Sequence, residues 1–344
     1  ANKNAKRAAM IHLYFNLIGT VVFMSLFYLI NTAVHFPFMT QMATPATIAI
    51  THSVFNITAT VAWLPFSNLL VKLACLTIRD DKSDEVSKED QEFMILESRF
   101  LEKPAFAVEQ GRNAARHMER DSRKALDISL GLLRNYEEEQ AERVQKIETK
   151  VDRYEDELGT YLVKLNNKDL SEKDSHSVSI MLHCIGDFER ISDHAVNIME
   201  SARELHEKNL SFSPEARTEL QVLVSVVGRI VDTAYDVFDK QDMNLTRDVE
   251  PLEEMVDELS REMKRRHVNR LRSGECTIEM GFILTDLITS LERIADHCSN
   301  ISVCVTQVRE NLYDTHSYLE SLKNEPDEGY YNRLEELQRE YVLP

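Results

Sequence analysis

Four pairs of acidic side chains carry the most chemistry in this sequence. Glu148 and Asp152, Glu189 and Asp193, Glu253 and Asp257, and Glu292 and Asp296 are each separated by four residues, which stacks two carboxylates on one side of a helix. One such pair repels itself. Antiparallel packing of two such helices would bring four carboxylates together, and a cluster of that kind calls for divalent or trivalent cations held through oxygen. Asn197 and Asn300 extend the stripes of Asp193 and Asp296 by one turn and offer carbonyl oxygen. His194 and His297 sit one residue off the stripe, as supports for a metal site more than ligands. A blander origin competes with this: 58 acidic residues in a helical chain generate many E-x-x-x-D pairs on solvated faces. Four pairs in matching register favour the cation. Arg190 and Arg293, next to the two glutamates, leave open ion pairs with acids of a neighbouring helix. All-oxygen sites suit magnesium, calcium or manganese.

The register comes from an internal repeat. DFERISDHAVNI (187–198) and SLERIADHCSNI (290–301) share E-R-I-x-D-H-x-x-N-I, and upstream IETKVDRYEDEL (147–158) and LEEMVDELSREM (252–263) share E-x-x-x-D at nearly the same offset. The elements that position these residues are helices. Only 9 glycines and 8 prolines occur in 344 residues, too few for turn-dense β classes. Start signals at Pro104, Ser171 with Asp174, Ser213-Pro214-Glu215, and Asp248 before Pro251 predict helices near 105–136, 138–167, 173–208, 214–243, 248–273 and 276–312. Grouped by the repeat, they make two three-helix bundles in tandem. The expected fold class is all-α.

The chain is chemically divided. From Ala8 to Val71 there is no Asp, Glu, Lys or Arg, although the whole chain carries a formal net charge of -18. That charge disfavours nucleic acid as a partner. The uncharged run, interrupted near Pro37 to Pro45, is long enough for two spanning helices, near 9–34 and 46–76. Lys3, Lys6 and Arg7 precede the first and Lys72 and Arg79 follow the second, so the basic-residue bias places both ends in the cytoplasm. Within the hairpin, H-x-x-F-N-x-x-x-T occurs twice: His12, Asn16 and Thr20, then His52, Asn56 and Thr60. Each triad forms one helical stripe, read either as interhelical hydrogen-bond glue or as part of a transport pathway built from inverted repeats. The chain opens without Met, directly into a basic flank, so further upstream transmembrane helices are expected to be missing from it. The expected domains are a transmembrane hairpin at 1–78, a charged linker at 79–99, a helical domain at 100–320 (bundles 100–209 and 210–320) and a tail at 321–344.

The doubled E-R-I-x-D-H-x-x-N-I, each copy preceded by its E-x-x-x-D helix, resembles the PhoU family of phosphate-signalling proteins. That resemblance implies two three-helix bundles that bind metal clusters through the carboxylate pairs, with iron, manganese or zinc as the metal. The hairpin resembles the end of the sodium/phosphate cotransporter family, whose bacterial members often carry a cytoplasmic PhoU-like domain, and FLEKPAFAVEQ (100–110) is similar to the junction in those fusions. The serine- and glutamine-rich motifs that line the substrate site in that family are absent from this sequence. The resemblances imply a multi-pass inner-membrane protein that carries inorganic phosphate with sodium, its metal-bearing domain in the cytoplasm, and self-association through that domain stays open.

Five cysteines without C-x-x-C spacing are expected to be reduced thiols packed as small apolar groups. No histidine follows a glutamate by three residues, which excludes the usual di-iron ligand pair. With no phosphate-binding glycine loop and no nucleophile elbow, no enzyme is expected. A membrane-tethered phosphate-signalling regulator and a metal-binding scaffold without transport remain the competing readings. The short hairpin loop argues against a receptor with a ligand domain between its spans.

Overall fold

A long uncharged segment can satisfy its backbone without water only by closing its hydrogen bonds within itself, and the described residues of this segment are mainly helical. Helix α1 spans Lys3–Val34, α2 Pro45–Trp63 and α3 Ser67–Thr77. The stretches Arg7–Val34 and Pro45–Thr77 are each long and apolar enough to cross a membrane. The second span was expected to be one helix over 46–76. It is broken instead by a 3-10 turn at Leu64–Phe66, because Pro65 has no N–H to donate and its ring crowds the preceding turn. Thr44 and Thr47 start α2 with a reciprocal capping box. Gly19 is the point of close approach between α1 and α2: a Cβ there would lie 3.5 Å from Trp63 Nε1 and 3.7 Å from the Ala59 methyl. The Tyr14 hydroxyl meets Thr77 Oγ1 at 2.6 Å, tying α1 to α3.

The structure, a computed structural model, describes residues 3–40, 42–77, 92–310 and 328–344, and all regular elements among them are helical. Two units emerge, Ala1–Lys88 and Glu89–Pro344. In the second unit α4 spans Pro104–Leu132, α5 Glu138–Asn166, α6 Glu172–Glu207, α7 Pro214–Lys240, α8 Met243–Ser273, α9 Ile278–Glu310 and α10 Glu328–Glu340. Ser171 and Ser213 cap α6 and α7 by accepting from Asp174 N and Ala216 N, as the start signals predicted. Helix α8 differs from expectation. Asp242 caps it, so Pro251 lies inside the helix and not at its first turn. Gly274, at φ 78°, ends α8 in the left-handed conformation, where a side chain would be strained.

Helices α4, α5 and α6 form one bundle and α7, α8 and α9 the other, joined along their third helices, α6 and α9. The core is continuous across that seam: Phe188 on α6 meets the rings of Tyr235 and Phe238 on α7 edge to face, at 5.3 and 5.0 Å. Two expected boundaries shift because apolar residues decide them. The end of the charged linker packs on the first bundle, Phe93 lying 4.4 Å from the Tyr154 ring. The linker proper, 78–91, lies outside the described residues, as do 311–327 with the end of the last predicted helix. The expected tail contains α10, which packs on α8 with Leu337 fully buried.

Candidate functional site

In the first bundle Glu189 of α6 lies near enough to Asp152 of α5 to feel its charge. Burial, and after it the adjacent Asp193 charge, push the Glu189 carboxyl up to about 7, with Asp152 adding to the shift. Arg190 stays on its own helix, 3.3 Å from Glu189 and 3.0 Å from Asp193, so the alternative of an ion pair to a neighbouring helix is not realised. Glu148 accepts from Gln145 Nε2 at 2.8 Å. Lys150, the nearest lysine on α5, is engaged by Asp121 and Glu92.

The second bundle departs from this pattern. Lys264 of α8 reaches Glu292 of α9 at 2.7 Å, a cation from the neighbouring helix, whereas the cation on Glu189 is Arg190 of the same helix. Arg293 pairs with Asp296 of its own helix at 3.1 Å. Glu253 is 7% exposed, and α10 sits on its side of α8: the Tyr330 phenol is pushed up to about 12 by burial and by the charges of Glu254, Glu250, Glu253 and Glu258. Asp257 is half-buried. In the repeat alignment Lys264 corresponds to Gly159, where a Cβ would touch only the Ile185 methyl, at 3.5 Å. Continuing the Glu253, Asp257, Ser260 stripe one turn would have found Lys264 in the sequence.

Among the described residues no three His, Cys, Asp or Glu side chains converge in a geometry that holds a metal. The donor chemistry nevertheless differs between bundles. In the first bundle Glu189 adjoins Asp193 and feels the charge of Asp152 from α5, with Arg190 on both Glu189 and Asp193. In the second bundle Glu292 carries the Lys264 ammonium and Asp296 the Arg293 guanidinium.

His194 and His297 lie on the third helices of the two bundles. They meet each other on the α6/α9 seam, ring centroids 5.8 Å apart. His297 Nδ1 lies 2.9 Å from Asp187 Oδ1, which also accepts from Asn300 at 3.3 Å. Asn197 instead contacts His194 on its own helix at 3.4 Å. Burial, then the neighbouring His297, drives His194 down to about 4. Asp187, which organises the seam, has Ser290 as its repeat partner. On the α4/α7 side Arg116 pairs with Asp239 at 2.7 Å and Arg123 with Asp232 at 3.1 Å. Between these helices lies Glu119, 7% exposed, pushed up to about 8 by burial and by Asp239.

In the hairpin both polar stripes bond along their own helices. Asn16 Nδ2 contacts His12 Nε2 at 3.2 Å and donates to the His12 carbonyl at 2.9 Å. Asn56 Nδ2 lies 3.3 Å from the His52 ring, and Thr60 donates to the Asn56 carbonyl at 2.7 Å. His12, Thr20, His52 and Thr60 are exposed on this unit, available to whatever surrounds it.

Comparison with known proteins fits this architecture. Over 303 residues, 86% of this chain and 53% of the relative, the sequence is 23% identical to YjbB of Escherichia coli O157:H7, named as a candidate inorganic phosphate export protein. It is 29% identical over 115 residues to a phosphate-specific transport system accessory protein, PhoU homolog 1, of Thermotoga maritima, covering 33% of this chain and 49% of that protein. The chain spans about half the length of these two relatives. The crystal structure of PhoU from Pseudomonas aeruginosa shares the fold with a TM-score of 0.56 at 23% identity, over 60% of this chain and 98% of that one. The PhoU domain model matches twice, at residues 115–202 and 220–305, once per bundle, and with both copies aligned to the duplicated helices the chain belongs to the PhoU domain family.

Proposed function

We propose that this chain is the regulatory end of a membrane protein that moves inorganic phosphate with sodium: the hairpin completes a multi-pass membrane domain, and the PhoU domain on its cytoplasmic side adjusts the flux. The observation that carries the reading is the joining, in one chain, of two membrane-length apolar helices to a duplicated PhoU domain. The similarity to a relative named for phosphate export, extending over both parts, supports it. The domain works as a sensor and not as a catalyst.

Metal belongs to the first bundle in this reading. Asp152, Glu189 and Asp193, with Glu148, would hold a divalent or trivalent cation such as iron, manganese, zinc or magnesium. The ion would supply charge neutralisation between α5 and α6, beyond what Arg190 gives Glu189 from its own helix. In the second bundle Lys264 performs that neutralisation. The coupling of α6 to α9 through Asp187, His297 and Asn300 then links the metal-bearing bundle to its twin.

The test is radiolabelled phosphate flux, inward and outward, in cells stripped of other phosphate carriers and expressing the membrane protein that contains this chain, with and without a sodium gradient. Sodium-dependent flux that changes when residues 89–344 are removed is the expected result. Flux indifferent to sodium would remove the symport reading. No flux in either direction would leave the chain as a membrane-tethered phosphate-signalling regulator, the alternative favoured by its similarity to an accessory protein.

A further inference from the structure

The α8/α9 turn contains a thiol that the phosphate chemistry does not use. Cys276 precedes the first turn of α9, half-buried, whereas Cys184, Cys298 and Cys304 are buried in the core and Cys75 lies in the apolar hairpin. Its Sγ faces His267 Nδ1 of α8 at 3.8 Å and the Thr277 carbonyl at 3.6 Å. His267 is itself 7% exposed, and its Nε2 is buried without a hydrogen-bond partner. Gly281 of α9 makes room for the ring: a Cβ there would lie 2.7 Å from Nε2. Both residues line a cavity of about 260 Å³ that also reaches Phe212, Ser213 and Arg270.

Three features give this pair a chemical use. An imidazole with one nitrogen on a thiol accepts its proton as the sulfur attacks. Burial, then Arg270, disfavour a resting proton on the His267 ring while Glu219 opposes them. The first amides of α9 carry the positive end of the helix dipole and favour negative charge developing on a sulfur at this position. The groups facing His267 are Arg270 on its own helix, Glu219 on α7 and Cys276; Gly281 contributes no charge from α9.

We propose that Cys276 and His267 form a thiol-modification site that exchanges with small disulfides. His267 Nδ1 takes the Sγ proton as Cys276 Sγ attacks one sulfur of R–S–S–R. The new Cys276–S–R bond replaces the R–S–S–R bond, and the leaving thiolate is protonated by the imidazolium to give R–SH. No external oxidant is required beyond the disulfide. The adduct occupies the cavity between the α6/α7 connection and the α8/α9 turn.

The full chain in detergent, treated with hydroxyethyl disulfide and quantified at each cysteine by peptide mass spectrometry, tests the site. Cys276 should react at least about tenfold faster than Cys184, Cys298 and Cys304, with a rate that is nearly flat from pH 6.5 to 8, as base assistance requires. His267→Gln should slow Cys276 about tenfold or more and leave Cys75 unchanged. A rate at Cys276 that climbs tenfold per pH unit, or is indifferent to His267→Gln, would overturn the assignment. If His267→Gln unmasks the three core cysteines the variant has unfolded, and the wild-type pH profile alone then decides.

Discussion

Replacing Glu119 by Gln should stabilise the helical domain, and by an amount that depends on pH. Glu119 lies between α4 and α7 at 7% exposure, and burial followed by the like charge of Asp239 raises its carboxyl from 4.5 to about 8, against the opposing pull of Arg120 and Arg116. Below pH 4.5 both folded and unfolded chains are protonated there and the residue costs nothing. Between pH 4.5 and 8 the unfolded chain ionises while the folded one does not, so stability falls with each pH unit by about 1.4 kcal/mol. At pH 7 the accumulated loss is about 3 kcal/mol, and above pH 8 it levels off at about 5 kcal/mol. Gln keeps the shape and hydrogen-bonding capacity of the protonated acid without the titration. Urea unfolding of residues 79–344, followed by circular dichroism at pH 5, 7 and 8.5, should therefore show a gap between Glu119→Gln and wild type that opens steadily with pH. An equal gap at all three values, or a destabilised variant at pH 8.5, would mean that Glu119 is ionised and held by Arg116 or Arg120, and the reasoning would fail.

Residues 79–344 expressed alone should be soluble and give a circular dichroism spectrum dominated by helix; a coil-like spectrum would contradict independent folding of the second unit. Cysteine introduced at Thr40 should label from outside intact cells, whereas cysteine at Ser83 should label only after permeabilisation, and the reverse pattern would invert the proposed topology. Elemental analysis of the purified protein should find divalent or trivalent metal that Asp193→Ala reduces strongly and Asp296→Ala reduces little, since Lys264 already compensates the second bundle. Gly159→Lys, which introduces that cation into the first bundle, should lower metal content while the thermal melt is kept; unchanged metal in both Asp193→Ala and Gly159→Lys would remove the proposed site.

Much of this protein follows from the sequence because the signals are local or repeated. The uncharged run from Ala8 to Val71 sets the hairpin, since one charged residue in the middle of a span is costly. Ser171, Ser213 and Pro214 set helix starts that the structure reproduces within a residue or two, because a cap is decided by side chains three residues apart. The duplicated E-R-I-x-D-H identified the family and the two bundles. What the sequence could not decide is how the two copies differ in surroundings. Lys264 on Glu292, the seam formed by His194, His297 and Asp187, α10 over α8, and the protonated Glu119 all depend on which residues from distant segments share a buried space. Burial and charge neighbours act through distances of a few ångströms, and those distances are fixed only when α6 packs on α9 and α4 on α7. Equal motifs therefore acquired unequal surroundings: the sequence determined that carboxylate pairs would be presented twice, and the tertiary structure decided that the cation on Glu292 comes from a neighbouring helix while the cation on Glu189 comes from its own.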